Sequence, residues 1–211
     1  DQIYAAERER GAGIVALNHP REYLNIIQYN PLTGEPDLKD PTILGFGADA
    51  SLWSWNFDTI EYMNDPEFVF IDPENPEELR LFDAWMSFLN LGHQVTAVGV
   101  SDAHDYASPG RPRNYFVSST DSPAEFKESE LVDAMKNGKV LVSAGAFANV
   151  LINGSTGMGD TITDTDGEVD LKLHIEAIPE IDVTYFKVYV NCDQVLNTAT
   201  DDPAGVVKYD G

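Results

Sequence analysis

The chain has 211 residues, 43 % of them apolar and 10 % aromatic, which is enough to bury a core and excludes global disorder. Lys plus Arg number 13 against 36 Asp plus Glu, a formal net charge of −23. So acidic a surface repels phosphate backbones and anionic lipid, which argues against nucleic acid as a partner, and no apolar run approaches the roughly 20 residues of a membrane span.

The opening, DQIYAAERERGAG, has no Met, no basic leader and no apolar leader segment. It reads as a helix already in progress, so the chain is expected to be a piece of a longer soluble protein, with export left open. That helix is expected to stop at Gly11 or Gly13. Gly13 to Leu17 is a short apolar run of the kind that forms a buried parallel strand. Tyr29 to Ala50 carries Pro31, Gly34, Pro36 and Pro41 and reads as a surface excursion. Phe57 to Tyr62 is a second strand.

A helix is expected over Pro76 to Leu91, capped by Asn75, with Leu79, Phe82, Met86 and Leu89 as its apolar stripe and Gly92 as its stop. Val95 to Val100 gives a third strand. Ser122-Pro123-x-Glu125 reads as a capping box opening a helix that reaches Asn137-Gly138, and Lys139 to Ser143 as a fourth strand. Strand alternating with helix implies an α/β fold with parallel strands. From Asn149 onward the texture changes: Val169 to Glu176 alternates strictly, Asp166-Gly167 is a hairpin-turn dipeptide, and Phe186, Val188 and Val190 alternate again. The expected division is residues 1–148 as the α/β unit and 149–211 as an antiparallel, sandwich-like β extension.

Chemistry-bearing residues gather where strands end. The first strand runs into Asn18-His19-Pro20, the second into Glu61-Tyr62-Met63-Asn64, the third into Ser101-Asp102-Ala103-His104. In parallel folds that rim is where ligands bind, and an apolar strand that finishes in His or Asp-x-His needs a partner for those groups. Asp102 and His104, two apart in an extended stretch, point to one side and can approach one ion, with His19 held at its turn by Pro20. Glu61 either joins that site or pairs with Arg21, Arg111 or Arg113. Arg111 and Arg113 either hold a substrate anion or pair with the abundant carboxylates. His93 is expected to cap helix carbonyls and His174 to be solvated. Asp164, Asp166 and Asp170 lack the closing Glu of a calcium loop and read as a turn. Trp53, Trp55 and Tyr62 read as packing, and Cys192 has no second cysteine to pair with.

The segments GIVALNHP, FDTIEYMN, LNLGHQVTAVGVSDAH, PGRPRNYFV and MKNGKVLVSAGAF resemble the second half of the polymerase-and-histidinol-phosphatase (PHP) superfamily, in its CehA/McbA-like metallohydrolase branch. The resemblance spans most of residues 1–160. It implies the C-terminal portion of a distorted (β/α)7 TIM-like barrel followed by the β extension, with divalent transition metals (zinc, manganese or iron) at the strand rim. The implied reaction is hydrolysis of a small-molecule phosphoester or other ester. By motif His19, Asp102 and His104 match metal ligands, Glu61 an acidic catalytic residue and Arg113 a substrate-binding one. The family's opening His-x-His has no counterpart among His19, His93, His104 and His174. That places its ligands in a preceding segment, or else makes this chain a non-catalytic binding or cell-surface module with an incomplete site.

Overall fold

Gly11, at φ +96°, lets the chain turn sharply out of helix α1 (Gln2–Glu9), its amide donating to the Arg8 carbonyl. The computed structural model describes residues 2–18, 54–64, 81–104, 109–191 and 193–211. His19, Pro20, Arg21, the Tyr29 to Ala50 segment, Trp53, the Asn75-Pro76 helix start and Cys192 lie outside the described residues.

Strand β1 (Ala16–Leu17) follows, paired in parallel with β2 (Thr59–Asn64), which in turn pairs in parallel with β3 (Thr96–Val100). Arg8 fastens α1 to this sheet: its guanidinium donates to Asp58 at 2.9 Å and to the Asn56 carbonyl at 3.2 Å, while the same Asp58 oxygen accepts the Val15 amide at 2.8 Å. Helix α2 (Leu81–Asn90) packs on β2, and Gly92 at φ +83° ends it as expected. Of the expected stripe Phe82 and Met86 are half-buried, but in the last turn Phe88 rather than Leu89 is covered: Phe88 is fully buried and Leu89 is exposed. Phe88 joins Val15, Leu17, Phe57, Ile60 and Val95 in the core, with Trp55 packed edge to face on its ring at 5.0 Å.

After β3 the chain departs from the expected alternation. It reverses through Gly110, at φ +77°, into β4 (Arg113–Tyr115), a strand with no apolar run to announce it. Ser122 to Glu125 forms a turn, closed by the Glu125 amide on the Ser122 carbonyl, and α3 (Glu128–Lys136) starts only afterwards. The capping-box expectation is corrected accordingly: Glu125 accepts from the Thr120 hydroxyl rather than capping a helix, and Glu130 accepts from Ser118 and Ser119. Those serine hydrogen bonds, Ser119's first, hold its carboxyl below the usual range. The next strand, β5 (Leu141–Ser143), then pairs antiparallel with β4.

The remaining strands are antiparallel. β6 (Ala146–Ile152), β7 (Leu171–Ala177) and β10 (Val207–Asp210) form a sheet in the order β10-β7-β6, and β8 (Tyr185–Val190) pairs with β9 (Asp193–Ala199) as a hairpin. The alternation read in the sequence is visible in β7, where Leu173, Ile175 and Ala177 are buried. Phe186 of the hairpin meets Tyr209 of the sheet at 4.6 Å. At the β6–β7 connection Asp164 accepts the amides of Asp166 and Gly167, a turn closed by its own side chain, and those two donors lower the Asp164 pKa.

The (β/α)7 TIM-like barrel is therefore not what this chain forms. Strand makes up 34 % and helix 15 %, and the strands fall into four small sheets with no closure among the described residues. The physical reason lies in the connection after β3. The segment that follows pairs β4 with β5 antiparallel instead of adding a helix-linked parallel strand to β3, so among the described residues the parallel sheet stops at β3.

Close packing at Gly99 secures the junction. A Cβ there would lie 2.7 Å from Val142 Cγ1 and 3.2 Å from Pro112 Cβ. Gly99→Ala is expected to lower stability by about 1–3 kcal/mol through overpacking, read as a fall in Tm. An unchanged melting curve would mean that β4 and β5 do not press on β3.

Candidate metal centre

The parallel order β1-β2-β3 brings three strand exits to one edge. Leu17 pairs with Ile60, so Glu61 stands immediately beyond the last pair of β1, level with Asn18. His19, next in sequence, is outside the described residues. In a regular strand Glu61 and Asn64, three apart, point to opposite faces. Here the register shifts between Glu61 and Met63, leaving Tyr62 as the extra residue of a bulge, and both Glu61 (2 % exposed) and Asn64 are buried. Asn64 pairs with Val100 at the far end of β3 and directs its amide nitrogen to Asp102 at 3.5 Å.

Asp102 and His104 are in contact, though by another route than the sequence implies. Asp102 is at φ +43°, a left-handed conformation, so the stretch is not extended. The chain folds back, and His104 Nδ1 lies 2.5 Å from the Asp102 carbonyl oxygen and 3.8 Å from its carboxylate. A carbonyl only accepts, so Nδ1 carries the proton and, in the neutral ring, Nε2 carries the lone pair. That ring is 84 % exposed, so Nε2 is open to a ligand. Histidines that bind metal through one nitrogen characteristically donate the other N–H to a carbonyl or carboxylate.

Arg113 approaches the same edge through β4. Gly138 donates to the Thr96 hydroxyl, and Gly99 faces Val142, so β5 runs in the direction of β3. Antiparallel pairing of Arg113 with Ser143 then sets Arg113 toward the end where β3 finishes. Asn114 holds it there: its side chain accepts the Gly99 amide and donates to the Gly99 carbonyl, both at 2.8 Å. Arg111 and Arg113 are exposed and make no ion pair among the described residues, so the alternative in which they neutralise Glu61 or other described carboxylates is not realised.

The structure thus brings Asp102 and His104 together, joins Asn64 to them and sets Arg113, on the separate β4-β5 sheet, toward the end of β3, while Glu61 lies back within β2, opposite Val98 rather than at the strand exit. Among the described residues no three His, Cys, Asp or Glu side chains converge as a metal cage. Asn64 was missed by sequence reasoning; its signal was its place at the end of an apolar strand, as for His19 and Asp102. His93 does not cap α2 with its ring: its backbone amide donates to the Phe88 carbonyl, and the imidazole stacks on Trp55 at 3.7 Å. Trp55 and Tyr62 pack as expected, Tyr62 against Phe82 and Trp85. No helix among the described residues is long and apolar enough to cross a membrane. Comparison with family models, curated proteins and solved structures found no match for this chain.

Proposed function

We propose that this chain carries part of the site of a metal-dependent hydrolase acting on a small-molecule ester or phosphoester. The observation that carries the reading is the tie between His104 Nδ1 and the Asp102 carbonyl, which fixes the ring at the exit of a parallel strand with its Nε2 lone pair available and the Asp102 carboxylate 3.8 Å from Nδ1. An imidazole nitrogen and a carboxylate oxygen are the donors that suit zinc, manganese or iron, and His19 is the further ligand the sequence offers. A divalent transition metal bound there supplies Lewis-acid activation of water and of the ester oxygen. Asn64 steadies the Asp102 carboxylate, Glu61 is a buried carboxylate farther back on β2, and the uncommitted Arg113 fork binds the substrate's anionic group.

A second reading, a non-catalytic binding module, draws support from the apolar side chains that the β-rich portion exposes, among them Tyr185, Val190, Val195 and Val206. Metal titration separates the two. Zn²⁺ or Mn²⁺ added to chelator-treated intact protein is expected to bind stoichiometrically, to shift the His104 ring resonances in NMR, and to support hydrolysis of a chromogenic phosphoester or carboxylic ester. Absence of binding would remove the hydrolase reading and leave the module.

A further inference from the structure

The outer face of the β10-β7-β6 sheet carries a second histidine arrangement. Residues two apart on a strand share a face, which sets Glu176 beside His174 on β7. The register sets Asp210 of β10 directly across from His174 on one side and Asn149 of β6 on the other. His174 is not simply solvated. Its Nε2 lies 3.0 Å from Glu176 Oε1 and its Nδ1 3.2 Å from Asp210 Oδ1.

Carboxylates only accept, so an imidazole can donate to both at once only when both ring nitrogens are protonated. A neutral ring turns one lone pair toward a carboxylate oxygen and gives up one of the two bonds. The two carboxylates meet opposite nitrogens of one ring, so they do not converge as metal ligands would. The other side chains in this neighbourhood are Lys172 on β7, Phe147 and Leu151 flanking Asn149 on β6, and Val207 on β10; of these only Lys172 is charged.

The strand this contact reaches is an edge. β10 has four residues and, among the described residues, only β7 beside it. Its end is held by reciprocal bonds between the Leu173 and Gly211 backbones, at 2.7 and 3.1 Å. Farther along, the buried Lys208 ammonium donates to the carbonyls of Pro203 and Ile178, independently of His174.

We propose that His174 is a proton-operated clasp on the edge strand: the imidazolium ties β7 to β10 through Asp210, and loss of its proton loosens the end of β10. Glu176 foremost, and then Asp210, raise the affinity of this ring for its proton in the folded chain. A group whose pKa rises on folding stabilises fully below its unfolded value. The clasp is therefore complete below about pH 6.5 and is lost as pH rises through the higher folded value.

The test follows the His174 ring by NMR together with hydrogen-exchange protection factors at Leu173 and Gly211, from about pH 5.5 to about pH 8.5, in the intact protein. His174 is expected to titrate above about 6.5, and protection to fall with rising pH by up to about tenfold per unit of pKa displacement. His174→Gln, which keeps a polar side chain without the charge, is expected to flatten that dependence. Asp210→Asn is expected to lower the His174 pKa while leaving the Glu176 contact in place. Titration at or below about 6.5, a pH profile unchanged in His174→Gln, or a His174 pKa unmoved by Asp210→Asn would each overturn the proposal.

Discussion

His104→Ala is expected to weaken binding of Zn²⁺ or Mn²⁺ by more than the 10–100-fold typical of losing a residue that merely supports a ligand. Hydrolytic turnover should fall with it. The fold should persist, because the ring is 84 % exposed and its hydrogen-bond partner is the carbonyl two residues back. Surface substitutions of that kind usually change stability by less than about 0.5 kcal/mol. Isothermal titration with the metal, alongside a thermal melt, reads both quantities. Asn64→Ala belongs in the same series: it removes a neighbour of the carboxylate rather than a donor, so its loss should stay within about 10–100-fold. Wild-type affinity in His104→Ala would end the assignment of a metal to this edge.

The largest effect on stability is expected at Phe88. This side chain is fully buried, reaches from α2 into the core around β1 and β2, and packs on Trp55 and Phe57. Phe88→Ala removes that apolar surface and leaves a void that the sheet cannot close, at a cost of about 3–5 kcal/mol. Against a typical total of about 5–15 kcal/mol, that is a third or more of the whole at the low end of the range. Urea unfolding should show the midpoint displaced to lower concentration. A displacement no larger than that of an exposed substitution such as Leu89→Ala would mean that α2 does not cover the sheet through this residue.

Two of the parallel strands were legible as short, mainly apolar runs, Gly13 to Leu17 and Val95 to Val100, while Phe57 to Tyr62 shows only mixed β-favouring residues with no helical period. Gly11, Gly92 and Gly138 marked helix ends for a stated reason: each occupies a positive φ. The barrel expectation fails where sequence signals are purely local. Arg113-Asn114-Tyr115 has neither an apolar run nor an alternation to mark it as a strand, and its pairing depends on Val142, far along the chain. A strand–helix–strand pattern looks the same whether the second strand joins its predecessor or a short reversed strand between them. The last turn of α2 differs from its expected stripe because Leu89 and Phe88 are both apolar, and the positions of Trp55 and Phe57 decide which is covered. At the candidate metal centre the residue types were readable as Asp-x-His, while the fold-back at Asp102 was not, since nothing in the neighbouring residues demands a left-handed conformation there. The His174 clasp was hidden for a similar reason: Asp210 lies 36 residues away and meets the ring only through strand register.

Asn114 couples two parts of the molecule that have no backbone pairing between them. Its carboxamide offers Gly99 one donor and one acceptor, as a peptide unit of an adjoining strand would. Arg113 therefore rides with the end of β3: thermal displacement of that strand carries cation and carboxylate along together, and their spacing is preserved while the surroundings fluctuate. One uncharged amide thus ties a short strand of one sheet to the end of another.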